Sequence, residues 1–304
     1  LKRIFVIVGP TASGKTLLSE YISELLPIEI ISADSRQIYK HLNIGTAKPP
    51  KELLQKIKHH FVDELEPNED FNAGEFSIRG RKIIEEIFSR NKTPLVLCGT
   101  GLYLRALIDG IFSGPAADDE IRDRLLHRYQ IEGGEKLLEE LRVIDFEAAK
   151  KMLPTNKLRI VRALEVFELT GKPISKIQEE ETKAGNFTPV MFGLEWERKI
   201  LYEKINKRVE EMFKNGFLDE VKQLLKKGFS SKLNSMQTVG YKEAFSFLNN
   251  EITFERMKEL MKQNSRRYAK RQLTWFRKDK RIQWFFLEQE TDYRILAQRI
   301  INSF

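Results

Sequence analysis

Three observations predict an α/β protein, a parallel sheet flanked by helices and interrupted by an all-helical insertion. Short apolar, β-branched segments alternate with helix-periodic ones up to about residue 110, the pattern of strand-helix-strand units in a parallel sheet. Residues 116–188 then show helix-like segments and no strand, and Pro189–Trp196 returns to strand character. The expected organisation is a core in two parts, 1–115 and 189–304, around a helical insertion at 116–188.

Each element has its own signal. Arg3–Val8 is a β-branched apolar strand, Gly9–Gly14 turns the chain, and Lys15–Leu26 carries apolar residues at helical spacing until Pro27. Glu29–Ser32 and Leu95–Cys98 read as buried strands, and Ala73–Arg90 and Leu102–Gly110 as helices. In the insertion, Asp118–Gln130, Gly134–Leu141, Phe146–Met152, Lys157–Thr170 and Ile174–Glu181 read as helices. Helices are also expected at Arg198–Asn215, Leu218–Lys227 and Phe254–Arg277, with Lys183–Asn186 as a connection. Trp196 and Trp284 are expected in the core.

Composition narrows the class further. With 304 residues, 41% hydrophobic and 32% charged, the chain can bury a sizeable core, which excludes disorder. Its apolar runs are far shorter than the roughly 20 residues that span a bilayer, so no membrane segment is expected. The first residue is Leu, and no charged leader with an apolar stretch precedes the first strand, which points to a cytoplasmic protein. One cysteine, Cys98, lies in an apolar run and suits packing rather than redox chemistry. His59 and His60 are adjacent without matching ligand spacing nearby, which argues against zinc. The net charge of +8 is regional: residues 194–304 hold 24 basic and 15 acidic residues. Between Lys262 and Arg281, nine basic residues face one acidic residue and interleave with Tyr268, Trp275 and Phe276. Such a mixture suits a polyanion.

Gly9-Pro10-Thr11-Ala12-Ser13-Gly14-Lys15-Thr16 matches G-x-x-x-x-G-K-[ST] between a strand and a helix, which makes the expected core P-loop NTPase-like. In such a loop the glycines let successive N–H groups point inward and the helix N-terminus adds positive potential. Lys15 contributes a charge, and Thr16 a hydroxyl for Mg²⁺. The loop is suited to a di- or triphosphate and is the signature of nucleotide- and ATP-binding proteins. Ligands of doubly wound sheets gather beyond the strands' carboxyl ends, which brings Asp34-Ser35-Arg36-Gln37 and Gly99-Thr100-Gly101 beside it. Asp34 can hold Mg²⁺ through water, act as general base, or serve only as a turn carboxylate. Ser35 and Gln37 are suited to reading a base edge, and Thr100 fits either capping or catalysis.

The ordered series of motifs is similar to one family. The phosphate loop, Ser32-Ala33-Asp34-Ser35-Arg36-Gln37-Ile38-Tyr39 and Gly45-Thr46-Ala47-Lys48-Pro49 together resemble the tRNA dimethylallyltransferase, or tRNA isopentenyltransferase, family. The resemblance continues through Phe71–Gly74, Gly99–Tyr103, Arg159–Val166, Thr170–Pro173, Met236–Glu243 and Tyr268–Arg277, covering nearly the whole chain. It implies transfer of a dimethylallyl group from dimethylallyl diphosphate to N6 of the adenosine 3′-adjacent to the tRNA anticodon, releasing diphosphate. By the family pattern, Gly9 and Thr11–Thr16 hold the diphosphate with Mg²⁺. Asp34 takes the N6 proton, Thr100 positions the reacting groups, and Arg208 contacts the diphosphate. The tRNA contacts map to Asp34, Ser35, Arg36 and Gln37, to Arg159 and Arg162, and to Met236, Gln237, Gly240 and Tyr241; Leu158 replaces the glutamine of some members. The basic cluster adds Arg266, Arg267 and Lys270 as candidate phosphate contacts. The expected partner is a tRNA anticodon stem-loop, with the target base flipped out, and the enzyme is expected to act as a monomer.

A P-loop kinase acting on a nucleotide or small molecule is the alternative, but it leaves the basic, aromatic C-terminal third without purpose. A non-enzymatic RNA-binding module would leave Lys15, Thr16 and Asp34 without purpose.

Overall fold

The computed structural model describes all residues except 1, 113, 116, 117 and 304. The chain divides into two compact units, 1–108 with 185–304, and 109–184. The smaller unit thus starts and ends earlier than the expected insertion, whose first residue, Ala116, lies outside the described residues.

The first part of the larger unit runs β1 (Arg3–Val8), α1 (Lys15–Leu25), β2 (Ile28–Ala33), α2 (Lys51–Lys56), β3 (His59–His60), α3 (Ala73–Ser89), β4 (Thr93–Cys98) and α4 (Gly101–Ile108). The smaller unit is helical: α5 (Asp119–Glu132), α6 (Gly134–Ile144), α7 (Phe146–Ala149), α8 (Lys157–Thr170) and α9 (Ile174–Glu181). The larger unit resumes with β5 (Thr188–Trp196), α10 (Arg198–Lys214), α11 (Phe217–Lys226), α12 (Tyr241–Leu248), α13 (Phe254–Phe276), β6 (Ile282–Leu287) and α14 (Tyr293–Asn302).

All six strands form one parallel sheet in the order β3-β2-β4-β1-β5-β6. Central β1 is buried from Ile4 to Val8, as a strand covered on both faces must be. Val8 pairs with both Cys98 and Gly193, and Ala33 with Cys98, so the carboxyl ends of β1, β2 and β4 lie level, while β5 runs three residues further to Trp196. The chain leaves β1 for β2 on one side and later adds β5 on the other, which makes the end of β1 a topological switch point and a natural ligand crevice.

Several elements depart from expectation. Short edge strand β3 follows from a buried charge: Glu29 of β2 accepts from Arg90 at 3.0 and 2.8 Å and lies 2.8 Å from His60 Nε2. Burial alone would raise the Glu29 pKa, but hydrogen bonds from Arg90, His60 and Lys92 outweigh it and hold the carboxyl at about 2. His60 is therefore a structural partner, and no cluster of potential metal ligands occurs among the described residues. Trp196 is buried, but Trp284 on edge strand β6 is only half-buried, its ring packed over Gly193. Helix α7 stops at Ala149, short of Met152, because the segment after it turns: Asn156 Oδ1 caps Leu153 N at 3.0 Å ahead of Pro154. No helix among the described residues is long and apolar enough to cross a membrane.

The helical unit packs Leu125, Leu137, Leu141, Ile160 and Leu164 into its own core. Its one fully buried carboxylate, Glu165, accepts from Asp118 N, Arg122 and Arg162 at 3.1, 3.0 and 2.8 Å. Arg162 also donates to Pro115 O at 2.7 Å, so its guanidinium neutralises an internal charge rather than standing free for RNA. Arg159, on the same helix, is exposed.

Candidate active site

The phosphate loop wraps the end of β1. Gly14 has φ +93°, a left-handed conformation that costs a side chain roughly 1–2 kcal/mol, and any Cβ there would meet the Tyr293 hydroxyl at 2.2 Å. Lys15 Nζ donates to Gly9 O at 2.8 Å and Pro10 O at 3.0 Å. Burial lowers the Lys15 pKa to about 8, opposed by Cys98 and Asp34 and reinforced by Arg208. Ser13 Oγ is buried with no hydrogen-bond partner, an unmet donor on a loop that lines the cavity. Gly9 is buried beneath that loop, while Thr11–Thr16 line a cavity of about 1010 Å³.

Asp34 follows β2 into the same cavity. Its Oδ1 accepts from Arg36 N at 2.8 Å and Gln37 N at 3.3 Å, a side-chain turn that fixes the carboxylate. Its Oδ2 faces the end of β4, 3.3 Å from where a Cβ on Gly99 would stand. Thr100 Oγ1 accepts from Ser35 N at 3.2 Å and is hydrogen-bonded to the Tyr268 hydroxyl, so one threonine joins the ends of β2 and β4 to α13. Burial, then the Asp34 carboxylate, push the Tyr268 pKa above its usual range. Arg208 on α10 donates to Thr11 Oγ1 at 2.5 Å. Burial lowers its pKa against the attraction of Asp34, but a guanidinium stays charged. Asp34, Lys15 and Arg208 thus converge on one crevice from three segments of the chain, while Thr100 stands behind its wall, bonded to Ser35 N.

The remaining expected RNA contacts separate into two groups. Ser35, Arg36, Gln37, Gln237 and Gly240 line the cavity. Gln37 is already committed, its Oε1 accepting from Ser32 Oγ at 2.9 Å and its Nε2 donating to Ala47 O at 3.2 Å. Arg36 holds Asn234 O at 2.7 Å. Met236 and Tyr241 are fully buried, so their side chains shape the wall from behind rather than touch a ligand. Arg266 is half-buried and donates to Asn206 Oδ1, a neutral partner, at 2.6 Å. Arg267 and Lys270 are exposed on α13, with no carboxylate partner among the described residues. Phe276 is buried, whereas Trp275 is 40% exposed and lies against Gly101.

Three residues that shape the site lie outside the candidate site residues read from the sequence. Glu220 on α11 accepts from the backbone N of Asn43, Ile44 and Gly45 at 2.9, 2.8 and 3.2 Å and from the Tyr241 hydroxyl at 2.6 Å. One carboxylate thereby fastens the loop whose carbonyls hold Gln37. Gly45 is needed there, because a Cβ would enter the Tyr241 and Phe217 rings at 2.4 and 2.7 Å. The other two are Tyr268 and Gln272, with a readable signal: Asn264, Ser265, Tyr268, Arg271 and Gln272 recur at helical spacing and line the cavity. A polar stripe on the inward face of a helix marks a site rather than a core.

Comparison with known proteins agrees with this geometry. Residues 37–279 match the IPP transferase family. The tRNA dimethylallyltransferase of Caldanaerobacter subterraneus subsp. tengcongensis is 44% identical over 304 residues, covering 99% of this chain and 96% of the relative. That of Finegoldia magna is also 44% identical, with the same coverage. The crystal structure of the full-length tRNA isopentenylpyrophosphate transferase of Bacillus halodurans superposes with a TM-score of 0.73 at 36% identity, covering 99% of this chain and 96% of that one. A eukaryotic dimethylallyltransferase acting on tRNA gives a TM-score of 0.83 at 27% identity, covering 99% of this chain and 78% of the other. With a phosphate loop, a strand-end carboxylate and a converging arginine on one P-loop NTPase-like sheet, and with the bacterial relatives matched over 96% of their length, the chain belongs to the tRNA dimethylallyltransferase (IPP transferase) family.

Proposed function

We propose that this enzyme transfers a dimethylallyl group from dimethylallyl diphosphate to N6 of the adenosine 3′-adjacent to the anticodon of tRNA. The observation that carries this reading is Asp34: one carboxylate oxygen is fixed by backbone N–H groups and the other faces Gly99 at the end of β4, on the wall of the cavity that the phosphate loop also lines. In the transfer the N6–C1 bond forms as the C1–O bond to diphosphate breaks, and the N6 proton passes to Asp34 Oδ2. Lys15, Arg208 and the loop N–H groups stabilise the charge that develops on the departing diphosphate. The Thr100 and Tyr268 hydroxyls hold the acceptor side in line, since an exocyclic amine is a weak nucleophile and needs alignment.

Magnesium fits this arrangement only together with the substrate. Among the described residues no three carboxylate, histidine or cysteine side chains cluster, but Thr16 offers a hydroxyl beside the loop and Asp34 a carboxylate. That sparse set of hard oxygen donors suits an ion taking most of its ligands from diphosphate and water. When bound, Mg²⁺ supplies charge neutralisation of the leaving group. A monomer is the proposed working unit. The single cysteine is buried, which pushes its thiol up to about 12 and suits packing rather than redox chemistry; a cytoplasmic location is proposed with the tRNA substrate.

The test is product analysis. Protein, Mg²⁺, dimethylallyl diphosphate and unmodified tRNA should give prenylated adenosine and diphosphate in step, without ATP. Phosphoryl transfer from ATP to a small acceptor, with no prenylated adenosine, would establish the kinase instead.

The exposed basic residues of α13 carry a separate expectation. Replacing Arg267 and Lys270 with glutamine should flatten the slope of log affinity for tRNA against log salt by up to about 0.7 to 0.9 per lost phosphate contact. Arg266→Gln should lower thermal stability, because it removes the bond to Asn206; that neutral amide leaves the guanidinium charge in place, so the variant's share of the slope is read alongside. A salt titration of the folded variants measures both, and an unchanged slope in the double variant would remove α13 from the RNA interface.

A further inference from the structure

Gln272 lies in α13, far from the phosphate loop in sequence and buried against it in space. Its Oε1 accepts the Thr11 N–H at 2.9 Å, and its Nε2 donates to Gly99 O at 2.7 Å. A primary amide is the neutral group that can accept at one end and donate at the other, so this bridge between the loop and the end of β4 is specific to its side chain. Arg208 is engaged next door, on Thr11 Oγ1. The donors left to an anion lie at the helix end of the loop. The N–H groups of the first turn of α1 have no intrahelical acceptor, whereas Ser13 Oγ is buried toward Gly9.

Those facts divide the loop into two ends. The end at Gly14–Thr16 offers unmet donors and Lys15. The end facing β4 offers the capped Thr11 N–H, the Gln272 amide and the Asp34 carboxylate, the last two both 3.3 Å from a Cβ on Gly99. In loops that hold a triphosphate, backbone N–H groups and the lysine cradle the outer two phosphates, and every further phosphate needs donors of its own. Here a phosphate at the β4 end would find its backbone donor taken and a carboxylate beside it, whereas an uncharged allylic group would meet neither obstacle.

We propose that Gln272 is a specificity-determining residue that sets the number of phosphates the loop accepts: by capping Thr11 N–H it makes the site one for two phosphates followed by an uncharged group. The assignment rests on the prenyl transfer proposed above, and extends it by naming what rejects a third phosphate.

Inhibition of prenyl transfer by inorganic pyrophosphate and by tripolyphosphate, both with Mg²⁺ and varied against dimethylallyl diphosphate, tests it. Charge alone favours tripolyphosphate; the wild-type protein is expected to bind pyrophosphate about tenfold more tightly, the scale of one charge-assisted hydrogen bond denied. Gln272→Ala frees the Thr11 N–H and should move that ratio about tenfold toward tripolyphosphate. Gln272→Met, which fills the same space without a strong acceptor, should move it likewise and separates the lost bond from a cavity. Gln272→Glu, which keeps the acceptor, should preserve the wild-type rejection. A ratio unchanged in the folded Ala or Met variant would overturn the proposal, as would a wild-type protein that binds tripolyphosphate as tightly as pyrophosphate, a result that needs no variant to fold. Wild-type protein forming no prenylated tRNA in the same assay would instead sink the transfer reaction itself.

Discussion

Asp34→Asn is expected to lower the rate of prenyl transfer by about 10²-fold or more, the size general-base catalysis commonly reaches. The substitution is clean because of how the carboxylate is held. Asparagine Oδ1 can keep accepting from Arg36 N and Gln37 N, so the turn after β2 survives, while the amide that replaces Oδ2 cannot take a proton. Affinity for tRNA should change little, since the fold around Ser35–Gln37 is retained. Single-turnover prenylation with enzyme in excess measures the step directly; a near-normal rate would remove Asp34 from proton transfer. Asp34→Ala is less informative, because it also deletes the turn.

Lys15→Ala should lower kcat/KM for dimethylallyl diphosphate by about 10²- to 10³-fold, with both binding and turnover affected, as expected when a charge aimed at the leaving group is lost. A loss confined to KM would assign Lys15 to uniform binding. The same group predicts a pH dependence. Because burial lowers its pKa to about 8, Lys15 is charged below that pH and loses its proton as pH rises through it. The kcat/KM for the diphosphate substrate, which reports ionisations of the free enzyme, should therefore fall on the alkaline side of about pH 8 and lose that limb in Lys15→Ala. An ordinary lysine would place the limb near 10.4, more than two units higher.

These expectations depend on distances that no local pattern in the chain encodes. The sequence by itself determined the alternation of strands and helices, the phosphate loop between β1 and α1, and the candidacy of Asp34 and Thr100, because hydrophobic period and loop chemistry are local properties. It also carried enough ordered motifs to point to the family. Short β3 and edge strand β6 were not legible: β3 exists because His60 must reach the buried Glu29, and β6 because Trp284 finds Gly193 across the sheet. Which polar side chains are free to act was decided only by tertiary structure. Arg162, Arg266 and Gln37 look available in the sequence, yet each is tied to a group 3, 60 and 10 positions away, respectively. Tyr241 and Met236 look like contacts and are buried supports. Conversely, Gln272 and Glu220 read as ordinary helix residues, and Tyr268 as one aromatic of a basic cluster, until packing sets them against Thr11, Asn43–Gly45 and Thr100, respectively. The physical reason is common to Arg266, Gln272, Tyr268 and Glu220: a hydrogen bond between distant segments has no signature in composition or period, and it is the closing of the sheet and the docking of α10, α11 and α13 that choose its partners, whereas Arg162 is tied three residues along its own helix.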